Sequence, residues 1–307
     1  EIACKDNSMD KQGLDLSCIA ECHYMPFERS PMKWNNIRAY KQLKKLLKEE
    51  HYDIIHCHTP MGGVITRLAA HSVKTPAKVL YTAHGFHFFQ GASKKNWLLF
   101  YPVEKWLARY TDCLITINQE DYELAVKKKF HAGKIKWIRG VGVELSQYYR
   151  LDGEERRQTR EEYGLSMDDF VLVYPADLSY RKNQKMLIEA VAQLKDRIPE
   201  MKVLLPGQPI LQQEYEQLAK ENGVEHMFKF MGYRRDIPKL LSIADIAVST
   251  SRQEGLPVNL MEGMAAELPV IATKVRGNSE MVKQGENGYG VTLNDVGAMA
   301  EYIWELY

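Results

Sequence analysis

Cysteine is scarce in this sequence. Cys4, Cys18, Cys22, Cys57 and Cys113 are five in 307 residues, too few and odd in number for a disulfide framework and in keeping with a reducing compartment. Cys18-x3-Cys22-His23 outlines half of a zinc clip, but no second Cys/His pair follows at a workable spacing, so no metal site is expected. No apolar run reaches membrane-spanning length. The opening Glu1-Ile2-Ala3-Cys4-Lys5 lacks the basic start, apolar stretch and small-residue cleavage site of a secretory signal, which makes a cytoplasmic location the expectation. No G-x-G-x-x-G follows a strand pattern and no G-x-x-x-x-G-K-[ST] occurs, so dinucleotide redox and P-loop chemistry have no support. A D-x-D pair for a metal-held diphosphate is missing as well, because Asp168 and Asp169 are adjacent. The basic residues are not interleaved with aromatics in any nucleic-acid module, and no nucleic-acid partner is expected. Short-period repeats and low-complexity tracts are absent too.

What is present describes an ordinary globular chain, 45% hydrophobic and 26% charged, long enough for two domains. Its net charge of +1 is uneven. Residues 1–150 hold 23 Lys+Arg against 15 Asp+Glu, or +8; the totals of 41 and 40 leave 18 against 25, or −7, for 151–307. A basic half suits an anionic membrane surface or a phosphate-bearing acceptor, although scattered solvated lysines give the same count.

Helical and strand patterns alternate along the chain. Ile37, Tyr40, Leu43, Leu46 and Leu47 recur at helical spacing over Trp34 to Glu50, and Asp53 to Cys57 then reads as a buried strand. Further strands are expected at Lys78 to Ala83, Cys113 to Ile117 and Ile135 to Ile138, with helices around Val64 to Ala70, around Trp97 to Tyr110 and before Ile135. After a turn-rich stretch near Gly140, strands restart at Phe170 to Tyr174, Val203 to Leu205, Phe228 to Phe230, Ile246 to Val248 and Val270 to Ala272. Such alternation predicts α/β architecture with two parallel sheets, in domains 1–147 and 148–307. Both ends read as cut: Glu1-Ile2-Ala3 resembles the end of a strand already in progress, and the chain stops at Tyr307 inside an apparent helix, so an N-terminal strand and a C-terminal helix are expected to be missing.

Ligands of open parallel sheets bind beyond the carboxyl ends of the strands. The residues there are polar: His56, His58, His84 and Asn118 in the first half; Asp177 to Lys182, Gly207, Gly232-Tyr233, Thr250 to Glu254 and Thr273 in the second. Two such rims facing each other would form one cleft. Arg181 and Lys182, after a strand and before a helix, could meet phosphate oxygens, or could simply be a solvated helix start. Glu254-Gly255-Leu256-Pro257-Val258-Asn259-Leu260-Met261-Glu262 runs from a strand into a helix. Pro257 suits the first helical turn, Gly255 permits close backbone approach, and free amides at the helix start attract an anion. Two carboxylates spaced in this way can grip hydroxyls at separate points on one elongated ligand.

Here the chain resembles the retaining family 4 glycosyltransferases of GT-B fold, whose signature is two glutamates separated by seven residues, as Glu254 and Glu262 are. The context strengthens the likeness: Gly-Leu-Pro between the glutamates, Met264-Ala265-Ala266, Pro269 to Thr273, and Gly285 to Gly290. Asp53 to His58, Tyr81 to Gly85 and Gly140 to Val143 extend it over nearly the whole chain, and the likeness is greatest to bacterial capsule and exopolysaccharide enzymes. The resemblance implies that Glu254 holds hydroxyls of the donor sugar and Glu262 the ribose diol. Arg181 and Lys182 would take the diphosphate, and His84 would face the sugar and its phosphate from the first domain. Gly207, Gly232 and Tyr233 would border phosphate and base, with Gly255, Leu256 and Pro257 in the same loop. It further implies retention of configuration without a metal or other cofactor, with a nucleotide sugar, expected to be a UDP-hexose or UDP-N-acetylhexosamine, as co-substrate. The acceptor would be a saccharide or a polyprenyl-diphosphate-linked sugar at the inner membrane face. Two departures stand out: Asp177 occupies the place of a family arginine, which Arg181 would replace, and the first strand with its glycine-rich loop is missing. A UDP-sugar epimerase of the same fold and a non-catalytic nucleotide-sugar-binding protein are the competing readings. Phe86-His87-Phe88-Phe89 and Trp97 to Pro102 would either serve a lipid-linked acceptor or pack in the core.

Overall fold

The computed structural model describes residues 1–5 and 17–307. The chain divides into two compact units, Glu1–Gly140 and Val141–Tyr307. The segment after Gly140 belongs to the second because Tyr148 and Leu151 pack on that unit's core.

Unit 1 contains β1 (Ile2–Cys4), β2 (Cys22–Tyr24), α1 (Asn35–Glu49), β3 (Ile54–His58), α2 (Pro60–Val73), β4 (Lys78–Ala83), α3 (Lys94–Leu107), β5 (Cys113–Thr116), α4 (Gln119–Lys127) and β6 (Lys134–Trp137). Strands β3-β4-β5-β6 form a parallel sheet in that order, and β1 pairs with β2 in a parallel pair of their own. The short β2 has no apolar alternation that would have marked it. Along α1 the buried stripe is Asn36, Ala39, Leu43 and Leu47, while Ile37 is exposed. The helix is therefore turned slightly from the face that its larger apolar residues suggest, because the small Ala39 permits close packing. The aromatic run resolves in favour of packing: Phe86 and Phe88 are buried, and Trp97, Phe100 and Tyr101 pack on the same cluster.

Helix α3 is held by a buried ionic network. Arg67 on α2 donates to Gly63 O at 2.8 Å and to Glu104 Oε2 at 2.8 Å, and Tyr81 on β4 donates to Glu104 Oε1 at 3.1 Å. The guanidinium also lies 4.0 Å over the Tyr81 ring. Burial, reinforced by the Glu104 charge, holds the Tyr81 hydroxyl well above its ordinary range.

Unit 2 contains α5 (Gly153–Glu162), β7 (Phe170–Val173), α6 (Gln184–Leu194), β8 (Met201–Pro206), α7 (Gln212–Glu221), β9 (Phe228–Gly232), α8 (Ile237–Ile243), β10 (Ile246–Ser249), α9 (Val258–Ala265), β11 (Val270–Thr273), α10 (Asn278–Met281), β12 (Gly288–Val291) and α11 (Val296–Leu306). All six strands are parallel, in the order β12-β11-β10-β7-β8-β9. This is the doubly wound order of a Rossmann sheet, with its reversal between β7 and β10. Phe-Val-Leu-Val, Ile-Ala-Val-Ser and Val-Ile-Ala-Thr in β7, β10 and β11 are buried at every position, as strands covered on both faces must be. The polar α5 is tied to the sheet by arginines: Arg160 and Arg156 both reach Asp245, just before β10, at 2.9 and 2.6 Å.

Removing one partner of a buried pair strands the other charge, so Arg67→Ala should cost about 3–5 kcal/mol. Urea unfolding monitored through unit 1 checks this; a loss no larger than that of an exposed Lys45→Ala control would contradict the assigned role.

Candidate active site

Where strand order reverses, the loops leaving the two neighbouring strands diverge and open a crevice beyond their carboxyl ends. In unit 2 those are the loops after β7 and β10, carrying Ser179 to Asn183 and Thr250 to Glu254. Hydrogen bonds lace them together. Asn183 Nδ2 donates to Thr250 O at 3.2 Å, Thr250 Oγ1 to Asn183 O at 2.9 Å, and Arg252 N to Arg181 O at 2.8 Å. The Arg252 guanidinium donates to Asn183 Oδ1 at 2.6 Å and lies 4.6 Å over the Tyr180 ring. Tyr174, buried at the end of β7, donates to Lys182 O at 2.9 Å and sits 2.8 Å from Ser251 Oγ. Asn183 turns the chain into α6 at φ 56°, a left-handed conformation that asparagine tolerates.

This lacing sets two cations against one acid. Lys182 Nζ lies 2.6 Å from Glu254 Oε1, and Arg181 Nη1 lies 3.2 Å from Oε2. The Lys182 and Glu254 side chains are 12% and 7% exposed, whereas Arg181 is 52% exposed. The Glu254 backbone is anchored by Arg276, whose Nε donates to its carbonyl at 3.1 Å. The structure thus brings together three residues that lie 73 positions apart at most. Two cations held by a single carboxylate carry a net positive charge, an arrangement that can receive an anion by exchanging partners.

Glu262 lies on α9, where Tyr148 donates to its Oε1 at 2.8 Å. Desolvation raises the Glu262 carboxyl above its ordinary value, against the Tyr148 hydrogen bond, and burial beside this acid raises the tyrosine too. Tyr148 is absent from the residues the sequence nominates, because a lone tyrosine between two domains carries no pattern. Pro257 proves to be the N-cap of α9, at φ −82° and ψ 97°, instead of a member of its first turn. The Gly255 carbonyl packs against Gly277, whose added Cβ would come within 2.7 Å of it. Gly207 follows β8 so close to the loop after β7 that a Cβ there would stand 1.9 Å from Ala176 O, which gives this glycine a packing reason of its own. Its amide donates to Gly232 O at 2.8 Å, at the end of β9, and the neighbouring Tyr233 is 62% exposed. Leu256 is half-buried in the loop between Gly255 and Pro257.

In unit 1, His84 follows β4 and its Nε2 lies 3.0 Å from Nδ1 of His58, at the end of β3. The His56 ring lies tilted against His58 with centroids 4.3 Å apart, and His56 hydrogen-bonds Thr82 Oγ1 at 2.8 Å. Partial desolvation, and then the charge of His56, lower the values of both His58 and His84. Regarded as isolated residues, His56 and His58 suggest structural roles; the geometry joins them to His84 in one cluster. The residue after His58, Thr59, has φ 63° and ψ 152°, a region normally left to glycine. Cys18 is exposed and joins no group of three potential metal ligands among the described residues, whereas Glu1, Glu21 and His23 do meet at the surface.

The glycosyl transferases group 1 model matches residues 155–307, and a glycosyl transferase 4-like model matches residues 1–118. A Bacillus subtilis (strain 168) protein named "Putative glycosyltransferase EpsD" is 47% identical over 293 residues, covering 95% of this chain and 77% of that protein. The chain belongs to the group 1 glycosyltransferases. An Escherichia coli protein, the UDP-Gal:alpha-D-GlcNAc-diphosphoundecaprenol alpha-1,3-galactosyltransferase, is 29% identical over 277 residues, 87% of this chain and 70% of its own. The fold is shared with Anabaena Alr3699/HepE in complex with UDP-glucose, at a TM-score of 0.80 and 23% identity, over 98% of this chain and 79% of that one. This glycosyltransferase therefore has the GT-B architecture of two Rossmann-like domains.

In the glycosyltransferase, Glu262 is an acid whose folded-state value lies above the ordinary 4.5, so the folded protein binds its proton more tightly than the unfolded chain does. The ionised group then costs stability at neutral pH, and the cost disappears as pH falls through the raised value. Glu262→Gln, which still accepts from Tyr148, should raise Tm at pH 7, and the gain should shrink as pH falls through the raised value and vanish below pH 4.5. A thermal melt across that range checks the sign; a variant less stable than wild type at pH 7 would contradict it.

Proposed function

We propose that the protein transfers a hexose or N-acetylhexosamine from a UDP-sugar to a lipid-linked diphosphate sugar in cell-surface polysaccharide synthesis, with retention of configuration and without a metal. The observation that carries this reading is the Arg181–Glu254–Lys182 cluster at the reversal between β7 and β10. On binding, the donor diphosphate exchanges with Glu254 for the two cations, and Glu254 turns to the sugar hydroxyls. The same cations then hold the leaving nucleotide diphosphate as charge develops on it, with the free amides at the start of α9 behind them. Glu262, desolvated and accepting from Tyr148, takes the ribose diol. Asn259 Nδ2, buried on the first turn of α9 without a hydrogen-bond partner, is available to a ligand oxygen. Gly207, Gly232 and Tyr233 border phosphate and base, Gly255 to Pro257 line the sugar, and His84 is assigned to the donor from unit 1.

A UDP donor and a polyprenyl-diphosphate acceptor are supported by the activity for which the E. coli relative is named. Such an acceptor calls for peripheral contact with the inner membrane face, for which the basic first domain is suited.

A thermal-shift screen of UDP-, GDP- and ADP-sugars in EDTA should single out one UDP-sugar, since a ligand of the native state raises its apparent stability. Glu254→Gln and Lys182→Ala should each lower transfer by about a hundredfold or more while the circular dichroism spectrum is unchanged. Near-normal rates in either variant, or a shift that requires a divalent metal, would overturn the mechanism.

A further inference from the structure

Helix α3 turns an apolar face outward. Leu98 is 76% exposed, Leu99 52%, Val103 41% and Trp106 44%, and Pro102 is exposed between them. At 3.6 residues per turn these positions and Arg109 just beyond fall within an arc of roughly 140°. The helix has a single acid, Glu104, and it is turned inward onto Arg67 and Tyr81. The exposed face therefore bears no carboxylate, while the exposed Lys94 and Lys95 stand at its start and Arg109 past its end. Four large apolar side chains on one side of a surface helix, with cations at both ends, form more than the scattered exposure usual for a soluble chain.

The face runs into a cleft. Trp106 meets Tyr110 edge-on at 5.4 Å, and Tyr110 stacks on His71 at 3.9 Å. His71, Lys74, Arg109, Tyr110 and His131 line an open cleft of about 610 Å³, with Asp112 also in its lining. Asp112 is already engaged, by Lys78 at 3.0 Å and the Val79 amide at 2.9 Å. The cleft opens at the amino ends of β4, β5 and β6, away from the carboxyl ends where the histidine cluster lies. An acidic protein groove would match the cations but not the wet, protruding Leu98 and Trp106. A second copy of the chain would set these cations against their own kind. An anionic bilayer meets both features at once, since its acyl boundary accepts apolar side chains and its phosphates accept lysine and arginine.

We infer that α3 and the adjoining His71–Lys74–Arg109–His131 cleft form a docking surface for a bilayer of anionic phospholipid, with Leu98, Leu99 and Trp106 entering the acyl boundary and a lipid phosphate seated in the cleft. This rests on the lipid-linked-acceptor reading for its purpose, but its binding is measurable without any reaction. The experiment is co-flotation of the whole chain with vesicles of phosphatidylcholine alone or mixed equally with phosphatidylglycerol. Wild type should float with the mixed vesicles and hardly with phosphatidylcholine. Leu98→Asp/Trp106→Asp should lose binding about tenfold or more to the mixed vesicles, and Lys74→Glu/Arg109→Glu should lose it to the same degree. Both variants should keep the wild-type melting curve and the wild-type thermal shift with UDP-sugar. Flotation of either variant like wild type, equal binding to both vesicle types, or no binding by wild type would overturn the inference. So would a wild-type dimer in lipid-free solution that Leu98→Asp/Trp106→Asp converts to monomer. Vesicle binding by a protein that shifts with no nucleotide sugar would remove the proposed function and leave this surface standing.

Discussion

A carboxylate withdrawn from water needs cations or hydrogen-bond donors to meet it, and Glu254 meets two cations through loops that leave different strands. That pairing depends on everything around it. Lys182 and Arg181 arrive from β7, Glu254 from β10, and these strands are neighbours only because the doubly wound order reverses there. Tyr174, Asn183, Thr250 and Arg252 fix the two loops to each other, and Arg276 holds the Glu254 backbone from the far side. An ion cluster built this way is rigid in its main chain and exchangeable in its side chains. Arg181 is half in solvent and can leave Glu254 at little cost, while Lys182 is largely withdrawn from solvent and must find another anion before it does so.

The two units differ in chemistry as they do in charge. Unit 2 has a sheet whose strands β7, β10 and β11 are buried throughout, an ionic crevice and a carboxylate, Glu262, kept partly desolvated under a tyrosine. Unit 1 has a smaller sheet whose carboxyl edge carries three mutually crowded imidazoles beside a strained Thr59, and a helix whose apolar side faces outward. Backbone strain next to a cluster of titratable groups is a feature that folds retain where the surroundings over-determine it.

Much of this was legible in the residues. Lys78 to Ala83 reads as a strand and is one to the residue, since β-branched and aromatic side chains bounded by turn residues leave little alternative. The loop positions of Glu254, Arg181 and Lys182 follow from the strand pattern alone. Their mutual contact does not, because strand order is a property of the folded sheet. The Glu254–Glu262 spacing attracts attention only through its context. Tyr148, β2 and the orientation of α1 stayed hidden for separate reasons: one is a single residue without a pattern, one a three-residue strand, and one a helix whose buried face is decided by the smallness of Ala39. The outward side of α3 has no pattern of its own in the sequence, because the inward-facing Trp97 and Tyr101 adjoin the exposed Leu98 and Leu99 in one continuous apolar run.

The central claim is that the donor binds beyond β7 and β10, exchanging its diphosphate for Glu254. Amide hydrogen exchange with and without UDP-sugar, read peptide by peptide, tests it most directly. The account predicts new protection in 179–183 and 252–260, with the amino ends of the unit 2 strands unchanged. Protection confined to other segments, with these two loops exchanging as before, would contradict it.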